Sequence, residues 1–216
     1  MVKGIKKKPV KKVVKKVVAV AKTKPFSRLS KKDKKITICQ DVIDQIKTKK
    51  IAATHGTYFT LPVSNDLSKT KGKELQTILK ETKEPCEACA IGSIFICDII
   101  KRDNFAVENG HIEQFKDYYW QGDDLIPTIR KTEIEIRSDE MVDKVSDYFS
   151  ELELRLIETA FEREVITDVD GKLKDDDDWD TNLALKAIRF GNRYEKDENR
   201  LIGIMKNVIK NGEFKP

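Results

Sequence analysis

A chain of 216 residues and 24.8 kDa can build one sizeable core, or one core with a tail. Charged residues make up 37% and hydrophobic ones 39%, more charge and less apolar matter than an average globular protein carries, so part of the chain stands outside any core. No apolar run reaches the roughly 18 residues of a membrane span, and four irregularly spaced cysteines exclude a disulfide framework and point to a reducing compartment.

The net charge of +5 conceals a division. Residues 1–35 hold fourteen Lys, Arg28 and a single acid, Asp33, for a local charge of +14, while residues 36–216 sum to −9. A lysine-rich arm, 1–35, is thus joined to one mildly acidic body, 36–216. Like charges in a block repel and stay solvated until an anion arrives. The arm does not read as a secretory signal, because its uncharged apolar run, Val17 to Ala21, is shorter than the roughly 7–15 residues required. Its first 32 residues lack acids, as in a mitochondrial presequence, but the base is Lys rather than Arg. Val10, Val13, Val14, Val17, Val18 and Ala21 recur at helical spacing between Pro9 and Pro25, with Lys11, Lys12, Lys15, Lys16 and Lys22 opposite. Little helix is expected until a partner induces it. Nucleic acid would accept the lysines through counterion release. An anionic membrane surface or a protein groove against the valines are the alternatives, and an unbound solubilising tail is the plain one.

In the body, Ser30 opens an expected helix through about Lys47 that buries Cys39, Val42, Ile43 and Ile46. Thr54 to Leu61 alternates, is rich in β-branched and aromatic residues and ends at Pro62, which predicts a strand. His55 has no Ser or Asp at catalytic spacing and reads as an ordinary polar residue. Leu75, Ile78 and Leu79 predict a short helix. Cys86 to Ile100 is the most apolar stretch and predicts a core helix surrounded by protein. Its start, Pro85-Cys86-Glu87-Ala88-Cys89-Ala90-Ile91-Gly92, sets two thiols one turn apart at a helix N-terminus, where lowered pKa values would suit a dithiol redox site. Zinc needs about four ligands, and beyond the pair only the isolated His55 and His111 are at hand. Buried structural thiols are the plainer reading, and Gly92 reads as a point of close helix packing.

Ile112, Phe115, Tyr118 and Tyr119 predict a second, weaker helix. Trp120, Tyr118 and Tyr119 could stack on bases, though their spacing fits core burial equally. Thr132 to Arg137 alternates around Ile134 and Ile136 and predicts a short strand paired with the first. Ser138 opens a helix burying Met141, Val142, Val145 and Phe149. Ser150 and Glu153 form a capping box, which predicts a break at Ser150 before a helix through Leu152, Leu156, Ala160 and Phe161. Asp168, Asp170, Asp175, Asp176, Asp177, Asp178 and Asp180 crowd one loop. Gly171 comes too early there for a calcium-binding hand, and no Glu follows in register, so a solvated turn is expected. By charge alone, the loop could also hold the basic arm. Thr181 to Gly191, and a last segment through Leu201, Met205 and Ile209 ended by Asn211-Gly212, predict two more helices. The expected fold is α-rich, α+β at most, with one small β-hairpin.

Three segments, Pro85-Cys86-Glu87-Ala88-Cys89-Ala90-Ile91-Gly92-Ser93-Ile94-Phe95, Leu154 to Glu162, and Arg200 to Pro216 with its closing Asn211-Gly212-Glu213-Phe214-Lys215-Pro216, together resemble uncharacterised small proteins encoded by tailed phages and some bacteria. The resemblance spans roughly residues 39–216, omits the arm and brings no activity with it. It implies a phage setting, in the host cytoplasm or the virion, where lysine-rich arms suit packaged DNA or a capsid lattice.

No phosphate-loop glycine pattern, dinucleotide fingerprint or metalloprotease helix is present, so nothing supports an enzyme and no cofactor or metal is expected. The pattern points to a non-enzymatic phage-type protein that grips nucleic acid, without reading its sequence, through Lys6, Lys7, Lys8, Lys11, Lys12, Lys15 and Lys16. A virion or assembly subunit whose arm threads into a neighbour is the alternative. A thiol redox protein using Cys86 and Cys89 is the third.

Overall fold

A computed structural model describes residues 25–102, 105–121, 124–164 and 181–216. The valine stripe, the seven arm lysines named above and the aspartate-rich loop lie outside the described residues. Phe26–Arg28 form a 3-10 turn, and the Phe26 ring meets Tyr148 edge-on with centroids 6.2 Å apart. Helix α1, Lys31–Lys47, starts where Ser30 accepts a hydrogen bond from the Asp33 amide, and it buries Ile38, Cys39, Val42, Ile43 and Ile46. Its first turn takes in Lys31 to Lys35, the end of the lysine-rich stretch, and Lys35 is buried in an ion pair with Glu153.

A five-stranded sheet overturns the α-rich expectation, and the fold is mixed α+β. Its strands are β1 (Ile51–Ala53), β2 (Phe59–Val63), β3 (Cys86–Ala88), β4 (Ile112–Gln121) and β5 (Asp124–Glu135), in the spatial order β1-β3-β2-β5-β4. β1 and β3 run parallel with Ile51 opposite Cys86, and all other neighbours are antiparallel. The strand expected over 54–61 is displaced, since residues 54–58 form a turn with Gly56 at φ 74° and β2 continues through Pro62. Of β2 only Phe59 and Thr60 pair with β3, so among the described residues Pro62 has a partner strand on one side alone. A strand tolerates a residue without an amide proton there. The pairing expected with the Thr132 strand is present, with Leu61 opposite Ile134.

The helix expected over Ile112–Tyr119 is strand β4 instead. Its register with β5 shifts between Phe115 and Lys116, which leaves Arg130 of β5 as an extra residue and breaks the simple alternation of that partner strand. Aromatic residues in this number favour a pleated surface with cross-strand neighbours over a helix. Cys86 also lies in a strand, so the core helix starts later, as α3, Ala90–Arg102.

Helix α3 is buried at every position from Ala90 to Ile99, as its all-round apolar sequence requires. The remaining helices are α2 (Leu75–Glu81), α4 (Ser138–Val145), α5 (Glu151–Glu162), α6 (Thr181–Gly191) and α7 (Asp197–Asn211). A Cβ at Gly92 would stand 1.8 Å from the Tyr58 carbonyl oxygen, so only glycine lets α3 lie this close to the β1–β2 turn. The break at Ser150 is present, and Ser150 caps α5 by accepting from the Glu153 amide at 3.2 Å. Glu153 does not complete the box: its carboxylate takes the Lys35 ammonium and the Phe214 amide, the latter at 3.0 Å. Helix α7 ends at Gly212 with φ 81°, as its Asn-Gly ending predicts.

Candidate functional site

β2 pairs with β5 only over Thr132 to Glu135. The outer parts of the hairpin, residues 116–121 and 124–131, therefore form a two-stranded ribbon with both outer edges unpaired among the described residues. Two strands alone are marginal in water. Alternation puts Lys116, Tyr118 and Trp120 on one face, opposite Ile129, Pro127 and Leu125. Asp117, Tyr119 and Gln121 take the other face, opposite Thr128, Ile126 and Asp124. Trp120 is 71% exposed, Tyr118 59%, Tyr119 50% and Leu125 50%. The three aromatics thus point outward rather than into the core. At the root of the ribbon the Lys131 ammonium lies 4.3 Å from the Phe115 ring centre, and Arg130 pairs with Asp117 at 3.8 Å.

Among the described residues the Tyr118–Trp120 face is aromatic and aliphatic, with one cation, Lys116, and no acid. Flat rings open to water beside a positive charge suit stacking on exposed bases. Leu125, Pro127 and Ile129 complete this face and were not found from sequence. The signal for them is Gln121-Gly122-Asp123-Asp124, a turn-forming tetrad between two runs rich in aromatic and β-branched residues.

Both thiols of the Cys-x-x-Cys pair are buried. Cys86, on β3, donates to the Lys50 carbonyl at 3.3 Å, and burial pushes its pKa up to about 12. Cys89 precedes α3, its sulfur accepts from the Gly92 amide at 3.5 Å, and burial raises its pKa further. These shifts run opposite to the lowered values that redox chemistry at this pair would use. Among the described residues, no group of three or more His, Cys, Asp or Glu side chains is placed to hold a metal ion.

His55 lies in the β1–β2 turn, with Nδ1 2.9 Å from an Asp197 oxygen, and Asp197 also accepts from Arg200 at 2.7 Å. The neighbouring Gly56 amide donates to Glu162 at 3.0 Å. Glu158, one turn earlier on α5, is buried and hydrogen-bonded to the Tyr58 hydroxyl, and desolvation lifts its pKa to about 7. This cluster draws on the β1–β2 turn, α5 and α7, so no local sequence pattern announces it. His111 accepts the Glu108 amide at Nδ1, 3.1 Å, which leaves Nε2 to carry the proton toward Glu140, 2.9 Å away. With both nitrogens engaged and its ring stacked on Phe105 at 5.3 Å, His111 fixes the loop ahead of β4.

No family model, characterised protein or solved structure matches the chain. Among the described residues, no helix is long and apolar enough to cross a membrane.

Proposed function

We propose that this protein binds nucleic acid without sequence preference, in a phage setting, and that it favours single strands. Lys6, Lys7, Lys8, Lys11, Lys12, Lys15 and Lys16 neutralise phosphates, and Tyr118 and Trp120 stack on unpaired bases. The exposed Tyr118–Trp120 face carries this reading, because folding alone gives no reason to leave such rings in water. Each neutralised phosphate releases counterions, so affinity falls steeply with salt. Stacking adds about 1–3 kcal/mol per base and is not screened by salt in the same way.

The test is fluorescence anisotropy on labelled single-stranded and duplex oligonucleotides at several salt concentrations. It compares the full chain, a sevenfold Lys→Gln variant of the arm, and Trp120→Ala. The arm variant should lose salt dependence on both ligands, whereas Trp120→Ala should lose affinity for the single strand alone. Equal affinities across the three proteins would end the proposal. Substitution is preferable to truncation at residue 35, since Ser30 caps α1 and Lys35 is part of the core.

One observation favours a second reading, a virion or assembly subunit: β4 is an edge strand of ten residues with its outer side unpaired among the described residues. A neighbour's strand can add to such an edge. Concentration-dependent association in sedimentation velocity, without nucleic acid, would favour it.

A further inference from the structure

A cavity of about 650 Å³ opens between the end of α1, α2, α3 and the sheet, within the size range of small-ligand sites. Ile51, Leu61, Leu79, Ile96 and Ile100 give it an aliphatic floor, and among the described residues no aromatic ring lines it. Lys49, Lys50, Lys80 and Lys83 stand around it, with Glu84 the one acid among the described residues of its wall. None of these four lysines lies within ion-pair distance of a carboxylate among the described residues. An acidic body therefore holds a local ring of unmatched positive charge.

Two of the lysines are set in place by more than chance exposure. Lys80 donates to the Gln76 side-chain oxygen at 2.6 Å, and the buried Gln76 amide in turn donates to the Ile100 carbonyl at 2.6 Å. Lys49 has φ 57°. Its amide bonds the Ile46 carbonyl at 3.0 Å and the Lys50 amide bonds that of Gln45 at 2.9 Å. This helix ending normally places glycine at the left-handed position. Stability would choose glycine at 49, so what a lysine adds there is its ammonium.

We propose that this cavity binds an anionic amphiphile, an aliphatic chain ending in a carboxylate or phosphate. The chain lies on the isoleucine and leucine floor, and the head meets Lys49 and Lys80 at the mouth. A nucleobase fits poorly, for want of a ring to stack on. The site is therefore separate from the nucleic-acid reading, and the two stand or fall independently.

Isothermal titration of the full chain with decanoate, decyl phosphate, decanol and inorganic phosphate tests it. Decanoate or decyl phosphate should bind one to one, decanol at least about tenfold more weakly, and inorganic phosphate not measurably. A preference for decanoate assigns a fatty-acid source and a preference for decyl phosphate a phospholipid-like one. Lys49→Gly and Lys80→Gln should each weaken the preferred anion about tenfold. Lys49→Gly should do so while melting no lower than the parent protein, so lost binding is not lost folding. If neither anion binds, or if both variants bind as the parent does, the proposal is overturned. The lysines would then serve only to complement the carbonyl ends of α1 and α2.

Discussion

The seam where α1, α5 and the C-terminal residues meet and the cavity between α1, α2 and α3 both use lysine, to opposite ends. In the seam, Lys35 and Glu153 are buried together, and the second carboxylate oxygen takes the Phe214 amide at 3.0 Å. At the cavity, Lys49, Lys50, Lys80 and Lys83 lie within ion-pair distance of no carboxylate among the described residues. A charge removed from water must be matched or the structure opens, so the seam's pairing is a condition of folding. The cavity's lysines keep their water and meet no such condition. Folding accounts for the first set and not for the second.

Among the charged residues, removing one half of the matched pair should have the largest effect. Glu153→Ala leaves a buried ammonium and the Phe214 amide without their acceptor, which should cost about 3–5 kcal/mol in urea unfolding. The double variant Lys35→Met/Glu153→Leu should recover part of that loss, because it removes both charges at once while the Phe214 amide stays without its acceptor. If Glu153→Ala shifts stability no more than an ordinary surface change, about 0.5 kcal/mol, the seam does not depend on the match.

Glu158 tests the same contrast through pH. Burial holds its folded pKa at about 7 against an ordinary 4.5, so the folded state keeps the proton more tightly than the unfolded chain. The contribution is full below about pH 4.5 and lost as pH rises toward 7, roughly 3 kcal/mol in all. Glu162, raised by burial as well, adds a slope of the same sign. Glu158→Gln should flatten the profile over that window and raise stability at pH 8. A parent protein whose melting temperature is level from pH 4.5 to 7.5 would contradict the assignment.

A smaller effect, of opposite sign, is expected at the cavity. Lys49→Gly should stabilise the fold by up to about 1 kcal/mol, by relieving a left-handed residue with a side chain. Lys83→Gln should stay within about 0.5 kcal/mol of the parent. If Lys49→Gly destabilises, the lysine at that helix end serves stability, and the distinction between the two regions narrows.

What could be seen in the sequence follows the range of the interactions. Ser30, Ser150 and Gly212 act within a few residues of themselves, so the helix ends they set were legible. β1 and β3 are three residues each, and Ile51 meets Cys86 across a long excursion of chain. Such strands are defined by their partners more than by a local pattern, so β1 and β3 were missed although the pairing of β2 with the Thr132 strand was not. β4 was hidden because Ile112, Phe115 and Tyr119 also fall at helical spacing, while the bulge at Arg130 interrupts the alternation of β5. The aromatic trio was visible but its direction was not, because exposure depends on what packs above a strand. The cavity's lysines are spread from 49 to 83 and come together only when α1 and α2 flank α3.

Trp120 gives the least effect on stability and the cleanest separation. Its ring is 71% exposed, so Trp120→Ala removes little buried area and should change unfolding free energy by no more than about 0.5 kcal/mol. Phe59, 2% exposed and edge-on to Phe95 at 6.5 Å, offers the contrast: Phe59→Ala should cost about 3–5 kcal/mol. On single-stranded DNA the ranking should invert, with Trp120→Ala losing about 1–3 kcal/mol of affinity and Phe59→Ala, where it remains folded, losing little. A large aromatic side chain that folding does not need and a ligand does is what a binding face requires. If Trp120→Ala destabilised the fold as Phe59→Ala does, the ribbon would be a structural element, and its rings would need a packing partner instead.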